Sequence, residues 1–146
     1  MKIVVCVKQV PDTWAEKKLN PTDSTLDRAS VDAVVNELDE YAIEEALQIA
    51  EANDGEVVVL SMGPDRTTES IRKALSMGAA RGVLVTDDAL HGSCAVGTSK
   101  ALAKAIAAEA PDLVVFGSES TDARMSVVPA MVAERLGYPQ LTSANK

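Results

Sequence analysis

Four short apolar runs constrain the fold of this 146-residue chain more than any other feature. The runs are "IVVCV" (3–7), "VVVL" (57–60), "VLVT" (83–86) and "LVVFG" (113–117). They are rich in valine and nearly continuous rather than alternating, which is typical of strands buried on both faces of a parallel sheet. The runs therefore predict four parallel strands.

Each run is followed by a segment with the apolar spacing of an amphipathic helix. The first helix has Asn36 as a candidate N-cap, the second ends at Gly78, and the fourth is stopped by Gly137. Four strand–helix repeats predict a three-layer α/β fold, with helices on both faces of a parallel sheet. A fifth strand is expected in "PQLTSAN" (139–145), which gives the strand order 3-2-1-4-5.

In that order strands 1 and 4 are neighbours, and the crevice between their carboxyl ends is where such sheets bind ligands. "KQVPD" (8–12) and "GSESTD" (117–122) line it. The roughly 27 residues between strand 1 and its helix far exceed the usual 2–6, so a small hairpin-like excursion is predicted there.

Pro129 indicates where the last helix begins, because proline is tolerated only in the first turn. A start around Ser126 to Val128 would point the N–H groups of Val127 and Val128 into the crevice, which favours a phosphate. Ser126 would cap the helix or donate to the same phosphate; an ordinary helix start is the alternative. The side chains expected around the mouth of the crevice suit ribose and phosphate better than acid–base catalysis; they are Lys8, Asp12, Glu119, Asp122 and Arg124.

Several function classes are disfavoured. The net charge of −8 argues against a nucleic-acid groove, which needs clustered Lys and Arg. No apolar run approaches the length of a membrane span and no signal peptide is recognisable, so a soluble, cytoplasmic protein with reduced Cys6 and Cys94 is expected. His91 and Cys94 lack a second ligand pair for a metal, and "GSCAVGTSK" (92–100) has Thr98 where a P-loop has lysine. No catalytic constellation is predicted.

Longer phrases carry a family resemblance. "MKIVVCVKQVPDT", "NELDEYAIEEALQIAE", "SMGPDRTTESIRKALSMGA" and "LVVFGSESTDARMSVVPAMVAERLGYPQLT" together resemble the N-terminal part of the electron transfer flavoprotein β subunit, of the FixA-like type. The resemblance runs in one register from Met1 to about Thr142. It implies a Rossmann-like domain of the adenine nucleotide α hydrolase-like kind.

The resemblance also implies an electron carrier rather than an enzyme. Such a β subunit binds AMP, or FAD in bifurcating members, and pairs with an α subunit that holds the redox-active FAD. The complex passes electrons from dehydrogenases to an acceptor. The nucleotide contacts that it implies here are Val5, Cys6, Val7, Asn36, Glu37, Leu38, Asp39, Met62, Gly117, Ser118, Glu119, Ser120, Thr121, Asp122, Ser126, Val127 and Val128.

Two sets of residues depart from the family pattern. "DARMSVV" replaces the usual residues before and at the start of the last helix, where the phosphate is expected. Glu37 and Asp39 in "NELD" place negative charge near any phosphate. Family β subunits are also longer, so residues 1–146 are expected to form a single nucleotide-binding domain of a truncated subunit without its C-terminal arm. Two alternatives remain: a universal-stress-type ATP-binding protein and an interaction module that binds no nucleotide. The first is disfavoured, because the glycine-spaced phosphate loop of that family is missing between Gly117 and Gly137.

Overall fold

The computed structural model describes residues 1–144 of the chain. Two 3₁₀ turns, Asp65–Thr67 and Asp88–Leu90, lie between the main elements. The strands and helices, in chain order, are β1 (Lys2–Val7), β2 (Gln9–Pro11), β3 (Ala33–Val35), α1 (Glu37–Ala52), β4 (Glu56–Met62), α2 (Thr68–Met77), β5 (Arg81–Val85), α3 (Ala95–Glu109), β6 (Leu113–Phe116) and α4 (Val128–Leu136).

The four predicted strands form one parallel sheet in the order β5-β4-β1-β6. This is the 3-2-1-4 part of the predicted order. In the central strand β1, Val5 lies opposite Val59 on one side and Val115 on the other. The continuous apolar character of β1 and β4 follows from this position, because both strands are covered on both faces.

The predicted fifth strand is wrong for the residues that the structure describes. Residues 139–144 pair with no strand, and Asn145 lies outside the described part of the chain. The local chemistry explains the difference. Pro139 has no N–H to donate, Leu141 is 92% exposed, and Ser143 has a φ of +52°, which no strand allows.

Helices cover both faces of the sheet, as predicted. Side chains of β1 alternate between two cores: Ile3 and Val5 pack with Ile43 beneath α1 and α2, whereas Val4 packs with Ile106 beneath α3 and α4. The helix ends also agree with the sequence. Gly78 (φ +126°) follows α2, Gly137 (φ +68°) follows α4, and Pro129 lies in the first turn of α4.

The long connection between β1 and α1 is the predicted hairpin-like excursion. β2 and β3 pair antiparallel, with Gln9 opposite Val35, and an isolated bridge joins Leu19 to Leu26 further out. The side chain of Trp14 is almost fully exposed on this excursion. None of the helices in the described part of the chain is long and apolar enough to cross a membrane.

Candidate functional site

The carboxyl ends of β1 and β6 lie side by side, because these two strands are paired from Ile3–Leu113 to Cys6–Phe116. Three segments meet at this edge of the sheet: the residues after β1, the start of α1, and the loop 117–127 between β6 and α4. Their junction is called the crevice below. It is the switch point predicted from the strand order.

Asn36 fastens the loop to the start of α1. Its side-chain Nδ2 donates to the carbonyl of Glu119 at 2.9 Å, and its Oδ1 accepts from the amide of Thr121 at 3.0 Å. The residue is fully buried. Asn36 occupies the predicted N-cap position, but its side chain caps no amide of α1, because both of its polar atoms are committed to the loop.

Asp39, in the first turn of α1, is a second fastening point. The amide of Lys8 donates to its Oδ2 at 2.8 Å, and the amide of Gly117 donates to the same carboxylate. Burial raises the pKa of Asp39 to about 6, although hydrogen bonds from Asn36, Lys8 and Gly117 act in the opposite direction. Of the two acidic residues in "NELD", Asp39 is therefore buried and bonded to backbone amides, whereas Glu37 is exposed.

Gly117 has no room for a side chain. A Cβ built on it would lie 2.3 Å from Oδ1 of Asp39 and 2.9 Å from the carbonyl carbon of Leu38. Glycine is therefore required by the close approach of two backbones, as it commonly is where a chain passes close to another backbone or to a ligand.

Asp122 joins the loop to the excursion. Its carboxylate accepts from Lys8 Nζ at 2.9 Å and from Arg28 Nη2 at 2.6 Å, and its side chain is 1% exposed. Burial alone would raise the pKa of Asp122, but the hydrogen bonds and charges of Lys8 and Arg28 hold it well below the usual range. Lys8 also donates to Ser120 Oγ at 3.3 Å.

The loop before α4 has a strained backbone. Arg124 and Ser126 adopt φ values of +50° and +54°. The hydroxyl of Ser126 donates to Glu119 Oε2 at 3.0 Å, so it does not cap α4, whose N-cap is Val127. The first i→i−4 bond of α4 runs from Met131 to Val127. Because Val127 is the N-cap, the amides in the first turn of the helix are those of Val128 and Ala130 rather than the predicted pair Val127 and Val128.

The remaining predicted site residues are placed differently. Val5, Cys6 and Val7 lie within β1 with core side chains, and burial raises the pKa of the Cys6 thiol. At the edge of the crevice, Glu37 is exposed and Leu38 is half-buried. Met62, at the end of β4, lines a cavity of about 90 Å³ together with Lys8 and other residues.

Arg28 is a member of the site that the sequence analysis did not include. It is 94 residues from Asp122 in the chain, and no local pattern marks it. Asp12, by contrast, was expected at the mouth of the crevice but lies on the excursion, where it lines a separate cavity with Trp14 and Asp32.

Two further observations concern ligands. Thr121 Oγ1 is buried beside the crevice and has no hydrogen-bond partner within residues 1–144. In the same part of the chain, no group of three or more His, Cys, Asp or Glu side chains is placed to hold a metal ion.

A parallel sheet with helices on both faces and a switch point between β1 and β6 defines an α/β protein of the doubly wound class. Comparison with known proteins is more specific, since the family model described as "Electron transfer flavoprotein domain" matches residues 23–146. The chain belongs to this family.

Named relatives agree with the family. The chain is 53% identical over 150 residues to the electron transfer flavoprotein subunit beta of Mycobacterium bovis, covering 99% of this chain and 56% of that protein. It is 55% identical over 146 residues to the subunit of the same name from Mycobacterium leprae, covering 96% of this chain and 55% of the relative. It is also 42% identical over 151 residues to Protein FixA of Sinorhizobium fredii, covering all of this chain and 53% of the relative. The chain thus spans little more than half the length of these relatives, which are named for electron transfer or as FixA rather than as enzymes.

Proposed function

We propose that the chain forms the nucleotide-binding domain of an electron transfer flavoprotein β subunit and holds AMP, or the AMP part of FAD, in the crevice. In this proposal the domain pairs with an α subunit that carries the redox-active FAD, and the complex passes electrons from dehydrogenases to an acceptor in the cytoplasm. The observation that carries the proposal is the N-terminus of α4 at the switch-point crevice of a chain that belongs to this family.

Two features of the described residues support a ligand that carries a phosphate. The amides of Val128 and Ala130 and the dipole of α4 suit a phosphate, because a helix N-terminus is an anion site. The unpartnered hydroxyl of Thr121 supplies a buried polar group for the ligand to bond.

Two of the acidic residues near the crevice, Asp39 and Asp122, are already bonded to groups of the protein. The carboxylate of Asp39 is turned towards the amides of Lys8 and Gly117, and that of Asp122 is neutralised by Lys8 and Arg28. A bound flavin would supply the electron-transfer chemistry. The part of this chain is to bind and orient the nucleotide and to exclude water from it.

The identity of the ligand is tested by purifying the chain without added nucleotide, denaturing it, and analysing the released molecules by mass spectrometry and visible absorption. Released AMP without yellow colour supports the mononucleotide form, and released FAD supports the bifurcating form. ATP would instead favour a stress-protein type of function. If nothing is released and calorimetry detects no binding of AMP or FAD, the proposal is wrong.

The location of the phosphate is tested at Ala130, an exposed residue in the first turn of α4. Ala130→Glu adds a negative charge that a helix N-terminus tolerates but a bound phosphate does not. Ala130→Gln is the matched control, because it has nearly the same shape without the charge. We expect calorimetry to show about tenfold weaker AMP binding for the Glu variant than for the Gln variant. Equal affinities would place the phosphate elsewhere.

A further inference from the structure

We infer that a second anion site, for a phosphoryl group, lies beside the crevice in the cavity at the start of the 3₁₀ turn that leads into α2. The cavity measures about 90 Å³. Its walls include Lys8, Arg28, Gly63, Arg66 and Thr67. The inference deepens the proposed function and rests on it only for the question of which molecule carries the phosphoryl group.

Positive charge is concentrated in this cavity. Lys8, Arg28 and Arg66 all line it, although the chain as a whole carries a net charge of −8. Lys8 and Arg28 share one carboxylate, that of Asp122. The guanidinium of Arg66 bonds the neutral amide of Gln9, through Nε to Oε1 at 3.2 Å. In the described part of the chain, three cations and no carboxylate therefore line the cavity, which attracts a further negative charge.

Thr67 provides an independent indication of a ligand. The residue is 1% exposed, lines the cavity, and has a hydroxyl oxygen without a hydrogen-bond partner within residues 1–144. That oxygen lies directly against Gly63, since a Cβ at Gly63 would be 2.4 Å from it. Buried hydroxyls nearly always have a partner, and Thr67 and Gly63 both line the cavity, so the proposed ligand would supply the acceptor that Thr67 lacks.

The backbone adds to the attraction. The 3₁₀ turn Asp65–Thr67 runs directly into α2, so the positive end of this helical segment lies at Pro64 and Arg66, which both line the cavity. Asp65 is the acidic residue of this turn, but it is exposed and does not line the cavity.

The size of the cavity selects a small ligand. Sites that enclose drug-sized molecules measure roughly 300–1,000 Å³, so a cavity of about 90 Å³ suits a single tetrahedral oxyanion. Lys8 connects it to the crevice, because the same ammonium group bonds Ser120 and Asp122 of the crevice loop. The phosphoryl group is therefore either the distal phosphate of a nucleotide diphosphate in the crevice or a free phosphate ion.

Titration of the full chain with inorganic phosphate, followed by amide NMR, tests the site itself. We expect the amide signals of Gly63, Arg66 and Thr67 to shift, and Arg66→Gln to weaken phosphate binding about tenfold. Arg72→Gln is the control: it removes the same charge from an exposed position on α2 that does not line the cavity, so binding should be unchanged. Absence of shifts at these amides, or equal losses in both variants, would overturn the inference.

Competition then identifies the source of the phosphoryl group. If ADP displaces phosphate from the cavity and AMP does not, the site holds the distal phosphate of a diphosphate nucleotide. If neither displaces it, the site holds free phosphate. If AMP displaces it as well as ADP does, the phosphate was bound in the crevice and the inference is wrong. Failure of the proposed function has a different signature, namely that neither AMP nor FAD binds in calorimetry.

Discussion

Gly117 and Asp39 set the geometry of the crevice at the scale of single residues. The carboxylate of Asp39 holds the amides of Lys8 and Gly117, and the missing side chain of Gly117 lets that carboxylate approach. The glycine at position 117 is needed because of Asp39, and the position of the Asp39 carboxylate is possible because of Gly117. Neither could be assigned this role from its own neighbours in the sequence, since the contact joins the first turn of α1 to the end of β6.

Gly117→Ala should destabilise the protein by about 2–3 kcal/mol, because the new methyl group would overlap Asp39 Oδ1 and the backbone of Leu38. Gly97→Ala is the matched control. Gly97 lies in α3, and the nearest atom that its Cβ would meet is the Ser93 Cβ at 3.7 Å, so the same change there should stabilise by about 0.5–1 kcal/mol. Urea unfolding measures both. Equal effects would show that a methyl group at position 117 fits without displacing Asp39 or Leu38.

Asp39 should make the stability depend on pH in an unusual direction. Its pKa is about 6 in the folded protein, above the ordinary value of 3.8, so the folded state binds this proton more tightly than the unfolded chain. The stabilisation is fully present below about pH 3.8 and is lost as the pH rises through 6. The free energy of unfolding of the wild type relative to Asp39→Asn should therefore fall by on the order of 2–3 kcal/mol between pH 4 and pH 7.

Asp122→Asn serves as the comparison for this pH series. The pKa of Asp122 is lowered by Lys8 and Arg28 against the effect of burial, so its stabilisation is present above the ordinary aspartate pKa and is lost on acidification. The difference between the wild type and Asp122→Asn should therefore change with pH in the opposite direction. Parallel pH profiles for the wild type and Asp39→Asn would contradict the assignment for Asp39.

At the scale of elements, the sequence predicts most of what the structure contains. Valine-rich runs locate the four sheet strands, because a strand buried on both faces is a continuous apolar run. Helical periodicity locates the four helices, because a helix buried along one stripe has apolar residues three and four positions apart. The predicted fifth strand is absent from residues 139–144, and it has no comparable signal, because residues 139–145 contain no apolar run and only the fold class suggests a strand there. Asn36 was located correctly, yet its contacts with the loop lie 83 and 85 residues away and have no local signal.

Arg28 holds the excursion of residues 8–35 to the crevice loop, so Arg28→Gln should loosen this element. An ion pair of this partly exposed kind contributes about 1 kcal/mol, which corresponds to roughly fivefold faster local opening. Hydrogen exchange should be faster at the amides of Asn20 and Asp27, which bond the carbonyls of Thr25 and Lys18 within the excursion. Amides of β1 should not change.

Lys18→Gln is the control for the excursion. It removes a charge whose partner, Glu16, is within the excursion itself, and both side chains are largely exposed. Exchange at the Asn20 and Asp27 amides should then stay close to that of the wild type. Equal acceleration in the two variants would mean that the contact between Arg28 and Asp122 does not hold the excursion in place.

At the scale of the whole molecule, one sheet separates two hydrophobic cores. The core beneath α1 and α2 and the core beneath α3 and α4 share β1 and β4 but have no helix in common. Alternate residues of the same strands enter opposite cores, so neither core can be lost without exposing one face of the central strands. The architecture therefore implies that the two halves unfold together.

Ile43→Val and Ile106→Val test this implication, since both side chains are fully buried and lie in different cores. Each variant should lower the free energy of unfolding by about 0.5–1.5 kcal/mol, and the double variant by their sum within about 0.5 kcal/mol, because the sheet keeps the two sites apart. Urea unfolding followed by circular dichroism should show one transition in all three. Trp14 fluorescence is a poor probe here, because this exposed side chain reports on the excursion. Two transitions, with each substitution moving only one of them, would show instead that the two faces of the sheet unfold independently.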